Sequence, residues 1–153
     1  MLFRTHIAIA IFFILLFLSK IEHKITFVLV LFVAAIIPDI DTRFSKVGKK
    51  KIFRLLQFFV KHRGLFHSFI FLAFITLMLV LFLPIVSLPF FLGYSSHLML
   101  DSFTIEGIYP FYPFKKRIFG SIKTGGKNEI ILLIIITLIS VAMIITKVFG
   151  MYS

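Results

Sequence analysis

The chain has 153 residues, 60% of them hydrophobic and 22 of them phenylalanine, with a mean hydropathy of +1.10, so much apolar surface that an ordinary soluble domain of this size is excluded. The net charge of +11, from 17 Lys and Arg against 6 Asp and Glu, would suit nucleic acid in a soluble protein; here the basic residues flank apolar runs, where anionic lipid headgroups attract them, and nucleic acid is disfavoured as a partner. With no cysteine, disulfides and thiolate metal sites are excluded, and any metal must be held by nitrogen and oxygen.

The first predicted helix covers 3–19. Arg4 followed by the apolar run Ile7 to Leu18 is similar to a secretory signal, but the FLSKIEHK that closes it lacks a small-x-small cleavage pattern, so the segment reads as a span. A second short span is expected over 25–40, ending in IIPDIDT, where Pro38 tends to stop the helix. In the basic loop after it, Lys50, Arg54, Gln57 and Lys61 recur every three or four residues while Ile52, Leu55, Leu56 and Phe59 take other faces. That spacing predicts an interfacial amphipathic helix at 47–61, with a solvated positive loop as the alternative. The third span, 65–83, comes directly after the stretch KHRGLFHS begins. The fourth, 85–101, carries Pro89, Gly93, Ser95, Ser96 and His97, a polar content that faces protein or a cavity rather than lipid. The fifth, 129–149, is almost wholly aliphatic.

A hydrocarbon core about 30 Å thick needs roughly 20 helical residues, and lipid leaves only helices or closed barrels as spanning structures. Long unbroken apolar runs exclude a barrel. The expected fold is therefore all-α: a polytopic transmembrane helical bundle of about five helices, the first two short, forming a single membrane-embedded domain over 1–153. Five spans place 14 of the 17 Lys and Arg on the side shared by the N-terminus, the 41–64 loop and the 102–128 loop. The positive-inside rule makes that side cytoplasmic, in a multi-pass protein of the cell membrane.

The residues a bilayer should reject gather on the same side. His6 opens the first helix, Asp39 and Asp41 close the second, His62, Arg63 and His67 open the third, and His97 and Asp101 close the fourth. Convergence from four elements is hard to attribute to solubility, and His/Asp sets are nitrogen and oxygen ligands for one or two divalent ions, with zinc, manganese or iron the best matches. His97 and Asp101 are four apart and share a helix face. Asp39 and Asp41 project unequally from an extended D-x-D, and His62 and His67 flank Gly64, which would let the chain turn so that both face one ion.

Each feature also has a plainer reading: His6 as a packing histidine, the two aspartates as a turn after Pro38, His97 with Asp101 as a hydrogen-bonded pair, Arg63 as a side chain reaching lipid phosphate. Taken jointly, they point to a hydrolytic site in which Asp41 or Asp101 is the general base and Arg63 clamps an anion in two parallel hydrogen bonds. Ser68, Ser96 and Thr104 are the candidates for orienting ligands or substrate. A site at headgroup depth beside a basic loop, 43–63, suits an amphipathic anionic substrate, a lipid phosphoester or pyrophosphate, with an ester or amide as the variant. The alternative of another class is a non-enzymatic metal-binding membrane protein that transports, senses or is pinned by a divalent ion.

The series THIA at 5–8, PDID at 38–41, HRGLFHS at 62–68 and HLMLDSFTIEG at 97–107, followed by Pro113 and Phe114, resembles the YdjM-like family of membrane-bound metal-dependent hydrolases, also described as LexA-binding and inner-membrane-associated. The similarity runs in order along almost the whole chain. It implies a small helical inner-membrane protein with a metal-dependent hydrolase site built from His6, Asp39, Asp41, His62, His67, His97 and Asp101. Phe66 departs from the family pattern, which commonly has threonine before the second histidine.

Overall fold

The computed structural model describes residues 1–41 and 64–150, with the side chains of Ile40 and Asp41 outside that description. Among the described residues the chain forms five α-helices and no strand: α1 Phe3–Phe17, α2 Lys24–Ala34, α3 Phe69–Phe82, α4 Pro84–Ser102 and α5 Lys127–Val148. Two stretches, Phe3–Lys20 and Lys127–Val148, are long and apolar enough to cross a bilayer, and Phe69–Phe82 is a shorter apolar helix. The amphipathic helix expected at 47–61 lies outside the described residues.

Helix α4 is the centre of the bundle. It packs against α1, α2 and α3, while α5 lies along α1. One apolar core joins Ala34, Leu72, Phe90, Tyr94, Leu98 and Ile108, and a second joins Ala10, Phe27, Leu31 and Ala35. Helices α2 and α4 approach closely at Gly93, where an added Cβ would stand 2.3 Å from the Leu31 carbonyl oxygen and 3.0 Å from Ala34 Cβ. Only glycine lets these two backbones meet.

Helix α2 ends at Ala34, short of the expected boundary at 40. Pro38 carries no N–H and its ring would collide with the carbonyl four residues earlier, so the chain tightens into a 3₁₀ turn over Ile37–Asp41. There the Asp39 N–H bonds the Ile36 carbonyl at 3.1 Å rather than continuing the α-helical pattern, which leaves the Ala35 carbonyl open to a partner from another helix. Helix α3 begins at Phe69, later than the expected 65, because Leu65–His67 forms its own 3₁₀ turn and Ser68 caps the helix proper: its Oγ accepts from the Phe71 N–H at 3.1 Å.

Between α4 and α5 the chain is irregular but stitched. Ile105 N–H bonds the Ile122 carbonyl at 3.0 Å, Ile108 and Ile118 exchange two bonds of 2.9 Å, and the Phe69 N–H bonds the Pro110 carbonyl at 2.7 Å, fixing this segment to the start of α3. Gly107 has φ +56, and a Cβ there would meet the Ile118 carbonyl oxygen at 2.1 Å. Its conformation and the close strand-like crossing both require glycine.

Candidate metal centre

The two backbones that touch at Gly93 and Leu31 run in the same direction. One turn further along each, His97 on α4 meets Ala35 at the end of α2, and its Nδ1–H donates to the carbonyl left open by the 3₁₀ turn, at 2.8 Å. A carbonyl only accepts, so the hydrogen is on Nδ1 and the Nε2 lone pair faces away from α2. It faces a cluster of carboxylates and imidazoles. This is the tautomer a metal-ligating histidine needs, with its second nitrogen held by a backbone carbonyl.

Asp101 sits one turn beyond His97 and is 2% exposed. Its Oδ1 accepts from the Met1 amino group and lies 3.4 Å from His6 Nε2; its Oδ2 lies 3.6 Å from His67 Nε2 and 3.8 Å from His97 Nε2. From the other side, Asp39 Oδ1 lies 3.9 Å from His97 Nε2. The His6 and His97 rings stack with centroids 3.8 Å apart and planes 9° from parallel, and His67 meets His97 edge-on at 5.5 Å.

The elements hold these side chains by ordinary means. Tyr94, fully buried, donates its hydroxyl to the Phe66 carbonyl at 2.7 Å, tying α4 to the 3₁₀ turn that carries His67. Thr104 is buried, donates to the Asp101 main-chain carbonyl at 2.7 Å and accepts from the Gly107 N–H at 3.1 Å. Ser96 donates to the Gly93 carbonyl at 2.7 Å, and Ser68 donates to the Leu65 carbonyl at 2.9 Å while capping α3. All three hydroxyls are thus engaged with neighbouring backbone.

Two overlapping groups could hold a cation: His6, Asp39 and His97, and His67, His97 and Asp101, with the ligand atoms of each within 4.8 Å of one another. Donors bound at about 2.0–2.2 Å in a tetrahedral site stand roughly 3.3–3.6 Å apart. The imidazole-to-carboxylate separations of 3.4–3.9 Å are close to that, and longer than a good hydrogen bond. Three buried ring nitrogens, His6 Nδ1, His6 Nε2 and His97 Nε2, have no hydrogen-bond partner among the described residues. Buried polar atoms without partners are costly, and a cation shared with the carboxylates would satisfy the two that face Asp101 and Asp39.

Of the residues singled out in the sequence, the structure brings His6, Asp39, His67, His97 and Asp101 together. Asp41 continues the same 3₁₀ turn as Asp39, with its side chain outside the described residues; His62 and Arg63 lie outside them entirely. Sequence reasoning missed Glu129, which is completely buried, and Tyr94. A carboxylate three residues into the last aliphatic span was the available signal for Glu129, and it reads just as well as a helix-start marker.

The sequence profile of the YdjM inner membrane protein family matches residues 1–152. The uncharacterized protein YvsG of Bacillus subtilis (strain 168) is 34% identical over 116 residues, a match covering 71% of each chain. No solved structure matches.

Proposed function

We propose that this chain, which belongs to the YdjM inner membrane protein family, is a membrane-embedded hydrolase that uses one divalent ion, or two, at the cytoplasmic boundary of the bilayer to cleave an anionic lipid or lipid-linked phosphoester or pyrophosphate. The single observation that carries the metal is the set of unpartnered, buried histidine nitrogens pointing at paired carboxylates from separate elements. His6, Asp39, His67, His97 and Asp101 would hold the ion. A divalent ion supplies Lewis acidity there, polarising a scissile bond and acidifying water.

The residues bear on the number of ions and on the proton path. His97 has one free lone pair, since Nδ1 is spent on Ala35, so it serves a single ion and the two overlapping groups describe one shared centre. A second ion would draw on donors such as Asp41 and His62. Asp39, at 14% exposed, is the most open of the five and the one a headgroup would meet first. Asp101 is enclosed by the histidines and suits holding the cluster's charge, with Asp41 or Asp101 accepting the proton of an attacking water. Arg63 would grip the substrate's anionic group. Membrane attachment of an anionic substrate is favoured by the basic loop 43–63.

The burial of His6, His67, His97 and Asp101 favours a second reading, an ion that pins four elements together without turnover. Protein in bilayer discs, incubated with labelled phospholipids and polyprenyl phosphates, separates the two. Release of product that stops on adding EDTA, returns with zinc or manganese and is absent in Asp101→Asn supports the hydrolase. Tightly held metal with no turnover of any panel member supports the pin.

A further inference from the structure

We infer that Glu129 is a positioning residue which, by capping two helices at once, holds His6 in the polar cluster. Glu129 is 0% exposed, and both of its oxygens are used. Oε1 accepts from the Leu2 N–H at 2.6 Å and the Thr5 hydroxyl at 2.8 Å; Oε2 accepts from the Gly125 N–H at 2.6 Å. The last of these is an ordinary self-cap, a glutamate in the first turn of α5 reaching back to the backbone just before the helix. The other two bind a segment more than a hundred residues away.

Helix α1 has no side-chain cap of its own and no acidic residue in its first turn, and the cap residue of α5, Gly126, has no side chain to offer. The two helices pack together with both N-termini at the same end, so two positive dipole ends meet there. One buried carboxylate between them offsets both, accepting from the N–H of Leu2, the cap residue of α1, and from the N–H of Gly125, the residue before the cap of α5. The register on α1 is the informative part: residues 2 and 5 face Glu129, while residues 1 and 6 face Asp101. The start of α1 is gripped between two carboxylates, and His6 follows Thr5 directly. Loss of the Glu129 grip releases the turn that carries His6, whereas His67 and His97, held through Tyr94 and Ala35, keep their own supports.

Because the chain has no cysteine, a single introduced one reports on a single position. The test compares N-ethylmaleimide labelling of His6→Cys and of His67→Cys, each with Glu129 intact, with Glu129→Ala and with Glu129→Gln. Expected is at least about a tenfold faster reaction at position 6 in Glu129→Ala, a smaller increase in Glu129→Gln, which keeps an acceptor oxygen, and change within about twofold at position 67. Equal acceleration at both positions, or none at position 6, overturns the inference. Should Glu129→Ala fail to accumulate, Glu129→Gln and Thr5→Val carry the same comparison. The consequence for metal rests on the reading proposed above: zinc affinity of the otherwise unaltered protein should fall roughly tenfold to a hundredfold in Glu129→Ala. Wild-type protein that binds no zinc sinks the metal reading and leaves the labelling result standing, while zinc binding untouched by Glu129→Ala removes the link between Glu129 and the cluster.

Discussion

Helices α4 and α5 are close in length, 19 and 22 residues, and are opposites in what they bury. Helix α4 hides Ser87, Ser96, His97 and Asp101 along with Tyr94 and Leu98 and lets Ile85, Leu88, Phe91 and Met99 face outward. Helix α5 hides only Glu129, Ile136 and Ser140 and leaves an aliphatic face exposed that includes Ile131, Ile134 and Leu138. In water, large apolar side chains gather inside a protein; on these two helices many of them also cover the outside, and the buried polar positions of α4 lie where elements meet. The less hydrophobic helix is the organising one.

Substitutions on the two helices should therefore separate widely. The largest effect is expected for Gly93→Val, which drives a branched side chain against the Leu31 carbonyl that already stands 2.3 Å from a Cβ. Overpacking of this kind costs about 1–3 kcal/mol, and it would also pull Ala35 from His97, so lowered thermal stability in detergent and weakened metal binding should appear together. Stability lost with metal binding unchanged would break the link between the α2–α4 contact and the site. Tyr94→Phe removes the bond to Phe66 and should cost about 1 kcal/mol, read as a modest shift in the same melting curve. At the low end, Leu138→Ala on α5, 63% exposed, should change stability by less than about 0.5 kcal/mol. An effect as large as that of Tyr94→Phe would mean that α5 is covered by protein rather than lipid.

The same contrast explains what could be read from the amino-acid sequence. Helices made of aliphatic runs announce themselves, and α5 matches its expected span of 129–149 to within two residues. The gathering of histidines and aspartates at one end follows from alternating helix direction and the positions of His6, Asp39, His67, His97 and Asp101, because polar groups in apolar runs have few other reasons to be there. The end of α2 was less legible. Pro38 signals a stop, but that the chain would tighten into a 3₁₀ turn and give the Ala35 carbonyl to His97 depends on α4 arriving one turn past Gly93, a contact far away along the chain. Glu129 was hidden for the same reason: its partners Leu2 and Thr5 are at the opposite end of the chain, and local spacing holds no trace of them.

The claim on which the rest depends is that His6, Asp39, His67, His97 and Asp101 hold a divalent metal. Elemental analysis of the protein purified in mild detergent, without added metal or chelator, tests it directly when wild type is set beside His97→Ala and Asp101→Asn at matched folding. Close to one equivalent of a transition metal in wild type, falling at least about tenfold in both variants, is the expected result. Wild type free of metal, or variants that retain it in full, would contradict the account.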